Sequence, residues 1–454
     1  MTPRRPLSVI AAICASALAL GACSAISHLN PFHSRPKRLA EEAQSISLLQ
    51  LNDQLRVSGT LEGQDFFLPP PQPQAEWPLP GGTPEQSVEN VAAAPDFQIA
   101  WRRHFGDGST RARHVIAPPI MADGKVFVMD GLANVSAHDA RTGAQIWRVN
   151  LRPKAKRDKL GFGGGLAYAD GKIYASSGYR LVARLDADTG RLEWETRTDA
   201  PIHAAPTVGD GRVYVVDVDD ELLTFDTANG TPDWNYQALT EPARILAASS
   251  PALEGDTLVA SFASGELVAL RADNGTELWN ESLSRTTRNN ALSEIRDIAG
   301  RPVIYKGDVF AVSHADVMTD TNLRTGAVRW QLPVSAITSP WAAGDVVFVV
   351  DQTGEVVCIS RDSGQLYWLT DLNEPAPRKG KKPGRRSRAI WSSPILASNR
   401  LITVSDKGEA VALDPKTGKV ERRLKIGDDA LIGPIAAGGL VYVATQRADL
   451  IAIR

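Results

Sequence analysis

At 454 residues the chain exceeds a single domain of ordinary size, so it holds several domains or one repeat architecture. Its 50 basic residues nearly balance 52 acidic ones, which excludes a general nucleic-acid binder. Hydrophobic residues make up 43%, enough for a sizeable core.

Arg4 and Arg5 give a positive start, and the apolar run from Leu7 to Leu20 has signal-peptide length, short for a bilayer span. The run ends in Leu20-Gly21-Ala22-Cys23. Small residues followed by cysteine resemble the lipobox of bacterial lipoproteins. That resemblance implies a leader over 1–22 and a mature chain that begins at an acylated Cys23. The alternative is an ordinary secretory signal with an incidental cysteine. Ser24 stands where an Asp would resemble an inner-membrane retention signal, so the outer membrane is expected, with the protein facing the periplasm. No second long apolar run exists in the sequence, which leaves lipid as the expected anchor. Burial of acyl chains contributes about 0.8 kcal/mol per CH₂. Cys14 leaves with the leader and Cys358 stands alone in a strand-like run, so it reads as a small buried hydrophobe and no internal disulfide is expected.

Residues 23–96 read as a lipidated, Pro-rich extended linker. Pro69-Pro70-Pro71-Gln72-Pro73 must be extended, because successive prolines fix φ and donate no hydrogen bonds. This segment is expected to space the following domain from the membrane.

From residue 97 a repeat sets in. Each copy carries Gly-x-Val-Phe/Tyr-Val or a close variant, then a turn, an alternating strand, Thr/Asn/Ser-Gly, and a Trp four residues after that glycine. The Gly–Trp pairs are Gly143 and Trp147, Gly190 and Trp194, Gly230 and Trp234, Gly275 and Trp279, Gly326 and Trp330, and Gly364 and Trp368. The seventh copy keeps Thr417-Gly418 but has Arg422 where Trp belongs. The eighth begins at Gly439, and the sequence ends at Arg454 before any Trp. Trp101, in Phe97-Gln98-Ile99-Ala100-Trp101, precedes the first full copy and has no turn of its own.

These features predict an all-β, eight-bladed β-propeller over 97–454, built of four-stranded antiparallel blades. Thr-Gly and Asn-Gly supply the positive φ of a tight strand connection. Runs such as Val346 to Val350 are apolar on both faces, as strands sandwiched between neighbouring blades must be. Trp101 then supplies the last strand of the eighth blade. Both ends of the repeat region share one blade, and the closed ring leaves no sheet edge to aggregate.

The pattern Ala137-x-Asp139-x-x-Thr142-Gly143-x-x-x-Trp147 resembles the tryptophan-docking motif of quinoprotein-type propellers. Two families share it: dehydrogenases dependent on pyrroloquinoline quinone, and the BamB family of outer-membrane assembly lipoproteins. The lipobox and the lone propeller look like the second. Leu68 to Pro73 and Trp77 to Gly82 are similar to the lead-in of α-proteobacterial members. The resemblance implies a non-catalytic scaffold without cofactor. It would bind the POTRA domains of the barrel subunit of the β-barrel assembly machinery and help unfolded outer-membrane proteins to fold and insert. The alternative reading is a quinone-dependent dehydrogenase or another propeller enzyme.

Enzyme chemistry finds little support in the residues. There is no vicinal cysteine pair, and the seven histidines show no metal-ligand spacing. A Gly-x-Ser-x-Gly elbow is absent from the sequence. Asp217-Val218-Asp219-Asp220-Glu221 lacks the glycine and distal glutamate of a calcium loop and sits where a hairpin turn belongs. Gly161 to Gly165 lacks the ending of a phosphate loop and reads as a bend into a blade.

Partner binding points instead to two loops. The family's apolar-plus-arginine loop, which leads into the fourth blade, aligns with Arg244, Ile245 and Leu246, with the arginine displaced from the family position. The acidic loop into the fifth blade aligns with Ile295, Arg296 and Asp297, and Ala299 replaces the second family Asp. Exposed Ile and Leu ringed by charge suit a docking hot spot; the competing reading is that Ile245 and Leu246 begin a core strand. A basic run over 378–388 reads as a solvated loop or as a contact for anionic head groups or an acidic partner.

Overall fold

Each repeat folds as one four-stranded antiparallel sheet, and eight such sheets stand among the described residues. The computed structural model describes residues 55–153, 161, 163–239, 249–283, 297–374 and 387–454. Blades 1 to 7 cover 120–150, 164–197, 207–237, 252–282, 303–332, 341–371 and 395–425. Blade 8 takes three strands from 435–453 and its outermost strand, Ile99–His104, from the start of the repeat region. Trp101 pairs with Ala452 and His104 with Asp449. The closure expected from the missing C-terminal Trp is therefore present.

Position in the sheet decides composition. The second strand of blade 6, Val346–Val350, is buried at all five residues because neighbouring blades cover both of its faces. The outer strand Gln145–Asn150 fully buries only Trp147. Between blades 1 and 2, Phe127, Val135 and Ala137 pack with Ile173, Leu181 and Leu185. The core is thus a series of such layers between blades.

The Gly–Trp spacing has a steric cause. Each Trp lies on the turn glycine of the next blade and donates from Nε1 to a backbone carbonyl there. Trp147 reaches Ala187 O at 3.0 Å and Trp279 reaches Leu323 O at 2.7 Å. A Cβ on Gly326 would lie 2.7 Å from Trp279 Cβ, closer than real atoms approach, and its φ is +69°. Glycine is needed both for the turn and for the close approach. A register shift in the outer strand pair, such as that between Ala137 and His138, falls beside each docking position.

The segment before the propeller corrects the expected boundary. Residues 23–96 do not form one extended linker, because from Leu55 onward the chain is part of the same compact unit as the propeller. Phe66, Trp77, Leu79, Val91 and Ala93 are buried. The physical reason lies in the innermost strands, whose free edges face the axis and need hydrogen-bond partners. Proline lacks an N–H but keeps its carbonyl. Pro78 O accepts from Tyr168 N at 2.8 Å and Pro84 O accepts from Leu253 N at 2.8 Å. Trp77 and Met121 exchange both backbone hydrogen bonds, Glu85 O accepts from Ile304 N, and Val91 N donates to Leu396 O. Gln74 O accepts from Gly438 N, Trp341 Nε1 donates to Glu89 O, and Gln86 Nε2 donates to Thr207 Oγ1. Residues 74–91 thereby touch the inner strands of blades 1 to 7 and the turn that follows the inner strand of blade 8, and form a strap across one end of the axis.

Candidate docking surface

The described ends of the two loops singled out in the sequence lie side by side. Ser249 closes the connection into blade 4, and its Oγ donates to Gly300 O, at the end of the connection into blade 5, over 3.2 Å. Ser249 and Ser250 are buried, as is Ile298. Arg244, Ile245, Leu246, Ile295 and Arg296 lie outside the described residues, and so does Cys23. Leu239, just ahead of the first loop, is 68% exposed, and its N–H is held by Glu266 Oε2 at 2.8 Å.

Asp297 is described, and its position differs from the exposed contact expected. It is 0% exposed, and its carbonyl accepts from His314 N at 2.9 Å. The residue sits at the root of its loop, where the chain returns to the core ahead of Pro302. Sequence alignment marks a loop's extent; it does not say where along the loop the chain becomes buried.

Other sequence features resolve as structure. Asp217 to Asp220 form a hairpin turn, with Asp217 Oδ1 accepting from Asp219 N at 2.8 Å and Glu221 N at 3.1 Å. Burial pushes the Asp217 carboxyl up to about 6. Asp220 Oδ1 accepts from Ala263 N in the next blade at 2.8 Å. Gly163 and Gly164 have φ of +100° and +95°, and a Cβ on Gly164 would lie 2.0 Å from Ser176 O, so this glycine run is a bend into blade 2. Cys358 is fully buried, and burial pushes its thiol well above the usual range. Of the basic run, 378–386 lie outside the described residues. Arg388 is anchored, its Nη2 donating to Asp371 Oδ2 at 2.8 Å and its Nε to Thr353 O at 3.1 Å. Among the described residues no group of three or more His, Cys, Asp and Glu side chains could hold a metal ion.

The strap was missed in the sequence, although a signal for it existed. Phe66, Trp77, Leu79 and Val91 are apolar at a density that a solvated spacer does not need.

A family model described as outer membrane protein assembly factor BamB matches residues 130–370 and 372–454. The chain belongs to the BamB family. A curated relative, the outer membrane protein assembly factor BamB of Shewanella oneidensis, is 23% identical over 374 residues, covering 81% of this chain and 91% of its own. The crystal structure of BamB from Moraxella catarrhalis superposes with a TM-score of 0.64 at 16% identity, covering 78% of this chain and 99% of that one. A europium-containing methanol dehydrogenase superposes equally well, with a TM-score of 0.65 at 14% identity, covering 82% of this chain and 89% of that one. The fold is therefore shared with enzymes and does not discriminate between the two readings. Family membership does: this BamB-family chain is a non-catalytic factor of outer-membrane protein assembly, anchored at the outer membrane and facing the periplasm.

Proposed function

We propose that this BamB-family protein docks on the POTRA domains of the barrel subunit through the paired loops that enter blades 4 and 5. It would thereby hold unfolded outer-membrane proteins near the insertion machinery. The observation that supports this reading is the Ser249–Gly300 hydrogen bond, which fixes the ends of the two loops together on one face of a closed ring. A rigid base of this kind lowers the ordering cost of binding. Arg244, Ile245 and Leu246 on the first loop, with Ile295 and Arg296 on the second, are the proposed contacts. Asp297 anchors the second loop from within the core. Acylation of Cys23 is the proposed tether, and the basic residues over 378–386, ahead of the anchored Arg388, are a proposed contact for anionic head groups.

The test is co-purification of the barrel subunit from detergent-solubilised envelope with wild type and with Ile245→Glu combined with Leu246→Glu. The expected result is loss of the barrel subunit with an unchanged melting temperature. Undiminished co-purification would show that other residues make the contact.

A further inference from the structure

On the axis, beyond the strap, lies a recess with a chemistry that docking does not use. Its walls are prolines, including Pro118, Pro340, Pro394 and Pro434, and it also contacts Trp77 and Trp341. The two indoles are stacked, with centroids 6.2 Å apart and planes 11° from parallel. Ser339 and Ser393 supply hydroxyls, and Arg301 is the one charged residue among those that line the recess.

Arg301 is placed by its backbone. Its N–H donates to Ser339 Oγ at 2.8 Å, and Ser339 N donates to Ser393 Oγ at 2.8 Å. This chain of bonds links the starts of the inner strands of blades 5, 6 and 7. Each hydroxyl accepts a backbone N–H, which leaves its own hydrogen to donate. The guanidinium has no such partner. Its Nε is buried, and among the described residues neither an acceptor nor a carboxylate partner meets it. Burial alone pushes its pKa down to about 10, with no opposing charge raising it. Arg301 is half-buried, and a cation drawn partly out of water is normally paired with a counter-charge.

We propose that this axial recess binds a small carboxylate, held by the Arg301 guanidinium and the hydroxyls of Ser339 and Ser393. A single cation compensates a monoanion and leaves a dianion such as phosphate half-neutralised. The planar guanidinium fork matches a carboxylate through two parallel N–H bonds, and the apolar walls tolerate a short hydrocarbon body. The strap closes one end of the axis, so the ligand enters from the face that carries the loops into the blades.

The test is thermal unfolding of the mature protein in a carboxylate-free buffer, titrated with sodium acetate at constant ionic strength. Chloride and inorganic phosphate serve as parallel arms. Wild type is expected to show a saturable rise with acetate, because a ligand that binds only the folded state stabilises it. Arg301→Met is expected to weaken acetate binding by about tenfold or more, the scale of a lost charge-assisted hydrogen bond. Saturation transfer from the wild-type protein to the acetate methyl, competed by formate, reads the site without any substitution. No saturable response, an undiminished response in Arg301→Met, or an equal response to chloride or phosphate would each overturn the proposal.

Discussion

Arg422 donates from its guanidinium to the backbone carbonyl of Asp96 over 3.2 Å, at the place where blades 1 to 6 present a docking Trp. Asp96 leads into the outermost strand of blade 8, which belongs to a different stretch of chain from the other three strands. Blade 8 therefore has no Thr-Gly turn, and there is no glycine on which an indole could lie. A long cation reaching a carbonyl is the solution that remains. At the other side of the closure, Trp101 lies 2.7 Å from where a Cβ on Gly143 would stand, but its Nε1 is buried without an acceptor among the described residues. The Tyr442 hydroxyl instead donates to Ala140 O at 3.0 Å.

The two docking modes should differ in energy. Trp279→Ala removes a buried indole and its hydrogen bond to Leu323 O, at an expected cost of about 3 kcal/mol or more. Arg422 is exposed, and its replacement by Ala should cost less than about 1 kcal/mol. Urea unfolding of the two variants checks the contrast; equal costs would remove the distinction drawn here between Trp and Arg docking.

Two glycines with the same φ separate backbone strain from crowding. Gly124 and Gly326 both have φ of +69°, but a Cβ meets nothing within 4 Å at Gly124 and the Trp279 side chain at Gly326. Gly124→Ala should cost about 1 kcal/mol, the left-handed penalty alone. Gly326→Ala should cost about 1–3 kcal/mol more from overpacking. Equilibrium unfolding of both variants reads the difference directly.

The ring was legible in the sequence because each blade repeats the same local physics. A turn glycine, an apolar run and a Trp at fixed spacing recur, and the last copy, which ends before its Trp, pointed to Trp101. The docking loops were legible only as positions. Nothing local to Asp297 distinguishes a loop tip from a loop root, since burial there depends on the neighbouring blades. The strap was hidden for another reason. Most of its hydrogen bonds are accepted by its carbonyls from the inner strand edges, and they leave no strand-like alternation in a Pro-rich stretch.

That strap makes a measurable prediction. A chain that begins at Leu55 should unfold cooperatively at higher urea than one that begins at Phe97, because the second exposes the inner strand edges and the contacts of Trp77. Trp77→Ala in the full chain should cost about 3–5 kcal/mol, the range for a buried aromatic. Equal midpoints for the two chain lengths would return residues 55–96 to the status of a spacer.

Stability should also depend on pH through blade 5. Asp320 is fully buried, and neither of its carboxylate oxygens has a hydrogen-bond partner among the described residues. Arg329 and Arg361 pair with Asp308 instead, at 2.8 and 3.5 Å. Burial, and after it the Asp308 charge, pushes the Asp320 carboxyl up to about 7. The folded pKa thus lies above the unfolded value near 3.8. The folded state holds this proton more tightly, so the stabilisation is complete below pH 4 and is lost as pH rises through 7. Asp320→Asn removes the charge that must otherwise form in the core. It should stabilise the protein at pH 8 by on the order of 2–4 kcal/mol relative to its effect at pH 4, since each pKa unit corresponds to about 1.4 kcal/mol. Urea midpoints of wild type and variant, measured from pH 4 to pH 8, should diverge with rising pH; parallel curves would mean that Asp320 titrates as an ordinary carboxylate and that its buried charge is compensated.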